Sequence, residues 1–444
     1  MNFSGGRKGS ENIYMVLYDL IDGQKKYNEL KIKKQLGKKV DARLFSVIKN
    51  RLFHLILDTL GSYYTDDLPD FTIQQIIKKA KILLAKKLTD QAWKHVWKAQ
   101  QAALKNEFFP EAIQALEIER KIIEFQDKEV YEKLMKDNLA QVKSCVEKYN
   151  NLMEYVHLQT KMFAKYTTNI VVRNKQDIAF LKKMLKHPLL KGESSALSFR
   201  ANYFLYLIKA ICYRYLGDME KSYENSQKRI AMFESVPMVS SQMKRYINAL
   251  HQMAGIQNSL GKFADSLQSI RKIRDIAKLH PQFAKSIPPE MPFTYSVITE
   301  TDLYLRISDY KTGVAQIPRI EAELKKFKHT LHKHLQYILY YNITLLCFGT
   351  ENYHKALNWL NKILNENKDD YALDLICASK ILFLIIHIEL GNDDLLEYAA
   401  QSTHRYLTAR KRKYKVESIF LDLLNIILNP SRKKEMITLL GEIL

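Results

Sequence analysis

Three histidines lie close together in the stretch KHTLHKHLQY: His329, His332 and His334. On a helix, residues three apart share a face, so the imidazoles of His329 and His332 would be placed to bind one metal ion. No third ligand of the usual type follows nearby, and Lys328 and Lys333 put positive charge beside the rings. The pattern therefore favours a solvated helix face, and we expect neither a metal site nor a cofactor.

A second chemically distinctive stretch is the basic run ARKRKYK at 409–415, which contains Arg410, Lys411, Arg412 and Lys413. Cations at this density can contact the phosphates of a nucleic acid or another anionic ligand. They are equally suited to the end of a helix, where positive charge interacts favourably with the helix dipole. The sequence leaves both interpretations open.

Sequence motifs for catalysis are missing from the chain. It contains no H-E-x-x-H and no G-x-S-x-G, and the N-terminal SGGRKGS does not satisfy the phosphate-loop pattern. The four cysteines are widely spaced and form no C-x-x-C pair, so a zinc ribbon or a redox motif is not indicated. We expect a non-enzymatic protein, with an enzyme whose site is assembled from distant residues as an alternative.

The charge balance points to anionic partners. The 444 residues include 69 Lys and Arg against 48 Asp and Glu, a formal net charge of +21. A field of this sign attracts nucleic acid, anionic lipid or an acidic protein surface, and charge alone does not separate these classes.

Composition and hydropathy indicate a soluble helical protein. Hydrophobic residues make up 47% of the chain, whereas only 14 Gly and 10 Pro are present, too few for a turn-rich β protein. The N-terminus lacks the apolar segment of a signal peptide, and the longest apolar run, 381–388, is far shorter than the roughly 20 residues of a membrane span. We therefore expect a cytoplasmic protein with no membrane partner.

The first part of the chain divides into a tail and two helical regions. Residues 1–10 are expected to be a flexible tail, residues 11–64 an N-terminal helical segment, and residues 71–194 a helical region with weak repeat character. Within 11–64, YNELKIKKQLG followed by FSVIKNRLFHLIL has the rhythm of a helix-turn-helix, with Lys49 and Arg51 as a possible polar face for DNA. A plain helical cap is the competing interpretation.

Similar stretches recur after residue 195. Each places Gly or Ser at an elbow between two apolar segments, and consecutive elbows are 41 to 47 residues apart, at Gly217, Gly261, Ser308, Gly349 and Gly391. A fixed period in this range is typical of a stacked helical array.

A second periodicity supports the array. A small residue precedes each of the first four elbows, and another small residue follows twelve positions later. Such pairs would lie where two helices cross at about 8–10 Å, a distance that bulky side chains would prevent. The pairs are Ala210 with Ser222, Ala254 with Ser266, Thr301 with Gly313, and Thr344 with Ala356.

Together these features resemble the tetratricopeptide-repeat family. The best match is NYHKALNWLNKIL, with Tyr353 three residues before Ala356, and GKFADSLQSI follows it closely. The period is longer than the family's repeat of about 34 residues. The resemblance implies an all-α, right-handed α-solenoid of antiparallel helical hairpins, with residues 195–430 as the TPR-like array and residues 431–444 as a C-terminal capping helix.

The resemblance also implies where a partner would bind. First helices of such hairpins line a concave face, which suits an extended or helical peptide. We expect a scaffold or adaptor that binds a protein or peptide there, and a nucleic-acid-associated regulator is the alternative. Six residues are expected on that face: Arg214, His251, Asn258, Asp302, Tyr341 and Phe348.

Overall fold

The computed structural model describes residues 13–37, 44–64, 69–166, 175–237, 239–366, 372–410, 412 and 415–428. These residues form 21 α-helices and no β-strand, which confirms the prediction of an all-α fold. The expected tail at 1–10 and the expected capping helix at 431–444 lie outside the described residues. None of the described helices is both long enough and apolar enough to cross a membrane.

The chain divides into two compact units, residues 1–102 and 103–444. In the first unit, a small apolar core forms around Leu17, Ile32 and Phe45. Asn28 caps the second helix by accepting a hydrogen bond from the backbone N–H of Lys31. The helices are α1 (Ile13–Asp22), α2 (Glu29–Leu36), α3 (Phe45–Tyr64), α4 (Pro69–Ala85) and α5 (Thr89–Lys105), the last of which spans the division.

In the second unit, helices pack mainly against their neighbours in the sequence, for example α9 against α10 and α17 against α18. The helices of this unit are α6 (Phe109–Ile123), α7 (Lys128–Tyr166), α8 (Lys175–Leu185), α9 (Phe199–Tyr215), α10 (Met219–Glu234), α11 (Met243–Ser259), α12 (Phe263–Arg274), α13 (Ile276–Leu279), α14 (Glu290–Arg306), α15 (Tyr310–Ala315), α16 (Ile317–Lys326), α17 (Lys333–Gly349), α18 (Tyr353–Glu366), α19 (Leu373–Glu389), α20 (Asp393–Ala409) and α21 (Lys415–Leu428).

Helices α9, α11, α14, α17 and α19 all end in the same turn. In each, one residue has a positive φ, and the N–H after it donates to the carbonyl five residues earlier, which is the Schellman arrangement. After α9, for example, Gly217 has φ 82° and the N–H of Asp218 donates to Tyr213. In these five turns the residues with positive φ are, in chain order, Gly217, Gly261, Ser308, Glu351 and Gly391.

The fourth elbow differs from the sequence prediction by two residues. Glu351, with φ 60°, occupies the left-handed position, and Gly349 is the last residue of α17. A Cβ on Gly349 would lie 2.5 Å from the ring of Tyr310, so this glycine is needed for a close approach between α17 and α15. The spacing of the elbows predicts Gly349 as the turn residue because glycine is common in turns.

Two of the predicted small-residue pairs are in direct contact. The hydroxyl of Ser222 donates to the carbonyl of Ala210 at 2.8 Å, and that of Ser266 donates to the carbonyl of Ala254 at 3.3 Å. In a third pair the reason for small size is different, because a Cβ on Gly313 would lie 2.6 Å from the Leu346 side chain on α17.

Candidate functional site

Polar side chains on α11 and α14, with Arg214 at the end of α9 close to them, form a group that we call the histidine cluster: Arg214, His251, Asn258 and Asp302. The amide of Asn258 donates to the Asp302 carboxylate at 2.8 Å and to the carbonyl of Thr299 at 3.0 Å. Because Asn258 lies on α11 and its acceptors lie on α14, its amide links the two helices, and the residue is only 2% exposed. Asp302 also accepts from Arg306 within its own helix at 3.0 Å.

His251 lies against α14 in the same cluster. Its ring stacks on Tyr295 with centroids 4.5 Å apart, and its Nδ1 is 2.9 Å from the hydroxyl of Thr299. Because that hydroxyl donates its own proton to the carbonyl of Tyr295, the imidazole Nδ1–H is the donor. Burial lowers the pKa of His251 to about 4, and the nearby charge of Arg214 acts in the same direction. The imidazole is therefore neutral at neutral pH.

The other two predicted residues, Tyr341 and Phe348, lie on α17. Both pack against an apolar cluster that includes Ile343, and burial raises the pKa of Tyr341. The ring of Phe348 is 5.4 Å from that of Tyr353. The structure thus brings four of the six predicted residues together on α9, α11 and α14, and it places the remaining two in a separate apolar environment.

A second group of side chains, which the sequence interpretation missed, contains three arginines. We call it the arginine cluster: Arg200, Tyr203, Arg229, Arg245 and Gln252. Arg229 has no exposed surface, and its guanidinium is 5.7 Å from the ring centroid of Tyr203. It donates to the side-chain oxygen of Gln252 at 2.9 Å and, more weakly, to the carbonyl of Ala249 at 3.5 Å.

The charge of Arg229 has no acidic partner within the part of the chain that the structure describes. No carboxylate there lies within ion-pair distance of its guanidinium, and its Nε–H has no hydrogen-bond acceptor there. Burial lowers the pKa of Arg229 to about 10, which still leaves the group protonated at neutral pH.

Arg200 and Arg245 add to the positive field around Tyr203. Burial lowers the pKa of Arg200, and the charge of Arg245 lowers it further. The nearest carboxylate, Glu107, accepts the backbone N–H of Arg200 at 2.8 Å and also that of Phe199, so it caps α9. Burial raises the pKa of the Tyr203 phenol, whereas Arg229 and Arg245 act against that rise.

The sequence does contain a signal for Arg229. The buried positions of α10 are Ser222, Asn225, Ser226, Arg229 and Phe233, which follow the helical spacing of a core stripe. Arg229 is therefore a charged residue at a core position, where Lys and Arg are almost never fully buried unless paired.

Lys49, which was considered for DNA contact, has partners inside the protein. Its ammonium pairs with Glu29 at 2.8 Å and lies 3.3 Å from the hydroxyl of Tyr27. Arg51 is exposed. Among the described side chains of the same helix, α3, four large apolar residues are exposed: Val47, Phe53, Leu57 and Leu60.

The basic run at 409–415 also has intramolecular contacts. Arg412 pairs with Asp374 at 3.3 Å, and both side chains are mostly buried. The guanidinium of Arg410 lies 4.0 Å from the ring centroid of Tyr406. Lys411 and Lys413 lie outside the described residues.

The histidines and cysteines show no arrangement for chemistry in the part of the chain that the structure describes. No group of three or more His, Cys, Asp or Glu is placed there to hold a metal ion. All four cysteines are buried, and burial raises the pKa of each thiol, which makes a poor nucleophile.

Comparison of the chain with protein-family models, with curated proteins and with solved structures gave no match. The two clusters are therefore the features from which we infer a function.

Proposed function

We propose that the protein is a non-catalytic scaffold or adaptor of the cytoplasm that binds a peptide segment of a protein partner. In this proposal α9, α11, α14, α17 and α19 are the first helices of TPR-like hairpins in a right-handed solenoid, and they line its concave face. The recurrence of the same Schellman turn after each of these helices supports that assignment.

One observation carries the proposal. Half-exposed polar and aromatic side chains on α11 and α14 are held in fixed positions by hydrogen bonds and ring contacts. His251 is bonded to the hydroxyl of Thr299 at 2.9 Å, and Tyr295 is stacked on His251. Such a preorganised surface offers hydrogen bonds and ring faces to a peptide with little loss of side-chain entropy.

The proposal is tested by selecting peptides from a phage-displayed random library on the immobilised full chain. Charge reversal of Arg214, which is exposed at the end of α9, should weaken binding of the selected peptides by about tenfold, since rim charges steer and orient ligands. The matched control is the same reversal at Arg271, which is exposed on α12.

If both reversals have equal effects, or if no peptide is selected, the proposal is wrong. Fluorescence titration with duplex DNA over a salt series tests the alternative of a nucleic-acid-associated regulator, whose affinity would fall steeply with salt. The ion pairs of Lys49 and Arg412 leave less free cationic surface for that alternative.

A further inference from the structure

The buried guanidinium of Arg229 is unusual because it has no anionic partner among the described residues. A guanidinium has five N–H donors. Here its described acceptors are two neutral oxygens, on Gln252 and Ala249, while the Nε–H is buried without an acceptor. A buried charge is normally paired because removal from water is unfavourable unless an opposite charge compensates for it. Arg229 therefore occupies a position that an anion would stabilise.

The surroundings reinforce the positive field. The charges of Arg229 and Arg245 both influence the phenol of Tyr203, the charge of Arg245 also influences Arg200, and the carboxylate of Glu107 is engaged by backbone N–H groups at the start of α9. In a poorly hydrated environment charges are screened little, so the three arginines act together on any ligand group placed above α11.

The Gln252 side chain indicates which kind of anion would fit beside Arg229. Its planar carboxamide is half-exposed, accepts from Arg229 at 2.9 Å and donates to Asn248 at 3.0 Å. The charge of Arg229 is thus separated from the surface of α11 by one movable side chain. A carboxylate is planar and of the same size as this carboxamide, and it would add the negative charge that the amide lacks.

We propose that Arg229, Arg245 and Gln252 form a subsite for a carboxylate of the bound peptide, supplied by an Asp or Glu side chain. The inference rests on the proposed peptide-binding function and specifies its ligand as acidic. On binding, the Gln252 side chain turns aside, and the ligand carboxylate accepts hydrogen bonds from Arg229.

The substitution Gln252→Glu tests the charge without any ligand. It places a carboxylate at the position of the present carboxamide, completes an ion pair with Arg229 and should raise the melting temperature of the full chain. The matched control is Gln257→Glu on the same helix, where the residue is 6% exposed and its oxygen accepts only from the Ser269 hydroxyl among its described partners. The control should lower the melting temperature.

A loss of stability in Gln252→Glu as large as in Gln257→Glu would overturn the inference. In the double variant Arg229→Met, Gln252→Glu, the gain should disappear, because the carboxylate then has no guanidinium to pair with. A rise in melting temperature that persists without Arg229 would equally contradict the subsite.

Binding is tested by fluorescence anisotropy with two labelled pools of random peptides. They are identical except that one pool has a fixed glutamate where the other has glutamine, and both have amidated C-termini. The glutamate pool should bind about tenfold more tightly, as expected for a charge-assisted hydrogen bond against a neutral one. Arg229→Met and Gln252→Glu should each remove that preference.

The outcomes separate the subsite from the function on which it rests. Equal binding of both pools would overturn the carboxylate subsite but leave peptide binding intact. Binding of neither pool would overturn both. A third pool, with glutamine and a free C-terminus, shows whether a terminal carboxylate can take the place of the side chain, and binding as tight as that of the glutamate pool would support the same carboxylate chemistry.

Discussion

The region from α10 to α14 and the region from α17 to α19 contain the same kind of helix-ending turn, yet their interiors are built from different side chains. Between α17 and α19 most of the buried positions are apolar, for example Ile343, Trp359 and Leu360. Between α10 and α14 many are polar, including Ser226, Arg229, Asn258, Ser269, Thr299 and Glu300. The interior of α17 to α19 is thus mainly apolar, whereas that of α10 to α14 combines an apolar cluster around Phe233, Tyr246 and Ile247 with many hydrogen-bonded polar side chains.

The difference matters because the two kinds of interior contribute differently to stability. Buried apolar area contributes roughly 25 cal/mol per Å², whereas an internal hydrogen bond contributes a net of about 1 kcal/mol because it replaces a bond to water. A polar interior is therefore an inefficient way to stabilise helices, but it fixes polar groups in place. This is the region in which we locate the ligand, since departures from optimal packing concentrate at functional sites.

Trp359→Ala should have the largest effect and would test the apolar half of the comparison. Trp359 is 3% exposed, lies 5.3 Å from the ring of Tyr340 and is covered by Lys362. Removing the indole should lower the free energy of unfolding by about 3–5 kcal/mol through lost burial and the cavity left behind. Urea denaturation followed by circular dichroism measures the loss.

The control for this prediction is Trp97→Ala on α5, where the same side chain is 59% exposed. We expect its effect to be within about 0.5 kcal/mol, as for most surface substitutions. Equal losses in the two variants would show that burial of apolar area does not dominate the stability of α17 to α19.

Helix crossings were more predictable from sequence than the partners of polar side chains. The contacts of Ser222 with Ala210 and of Ser266 with Ala254 were predictable because a helix crossing constrains side-chain size, which sequence spacing reveals. The position of Gly349 was mistaken because a glycine can serve a turn or a close approach, and only three-dimensional packing separates the two.

The candidate site was less accessible to sequence reasoning. His251, Asn258 and Asp302 were expected to face a ligand as independent side chains, but hydrogen bonds between α11 and α14 engage all three. Which partner a polar side chain finds depends on contacts between residues about 44 positions apart, and local patterns do not encode these. Arg229 was overlooked although its position in a core stripe made it recognisable.

His251, in the region from α10 to α14, should make the stability of the protein depend on pH. The expected size of this effect lies between those of the other two predictions. The pKa of His251 is about 4 in the folded protein, whereas an unperturbed histidine has a pKa of 6.5. Between these values the unfolded state binds a proton that the folded state does not, so the free energy of unfolding falls as the pH falls. The loss should reach about 1–3 kcal/mol at pH 4 relative to neutral pH.

The comparison for this prediction is His251→Gln, which keeps an N–H donor for Thr299 but does not titrate. Plotted against pH, the free energies of unfolding of the two proteins should run parallel at neutral pH and above, and should diverge as the pH falls below about 6.5. The charges nearest to the imidazole, on Arg214 and Asp302, are retained in both proteins. Curves that remain parallel down to pH 4 would show that His251 is not desolvated by α14.

Arg229→Met should have the smallest effect on stability, and it gives the sharpest contrast with Trp359→Ala. Both residues are large and buried, so a description based on packing alone predicts comparable losses. However, methionine keeps much of the volume of arginine, and the substitution removes a buried charge that lacks an anion. Replacing buried charges by apolar residues of similar volume is often neutral or stabilising, so we expect a change of less than about 1 kcal/mol, or a gain. Urea denaturation under the conditions used for Trp359→Ala measures it. A loss of about 3 kcal/mol or more would mean that Arg229 is a satisfied structural residue, and the polar interior of α10 to α14 would then be explained by stability rather than by ligand binding.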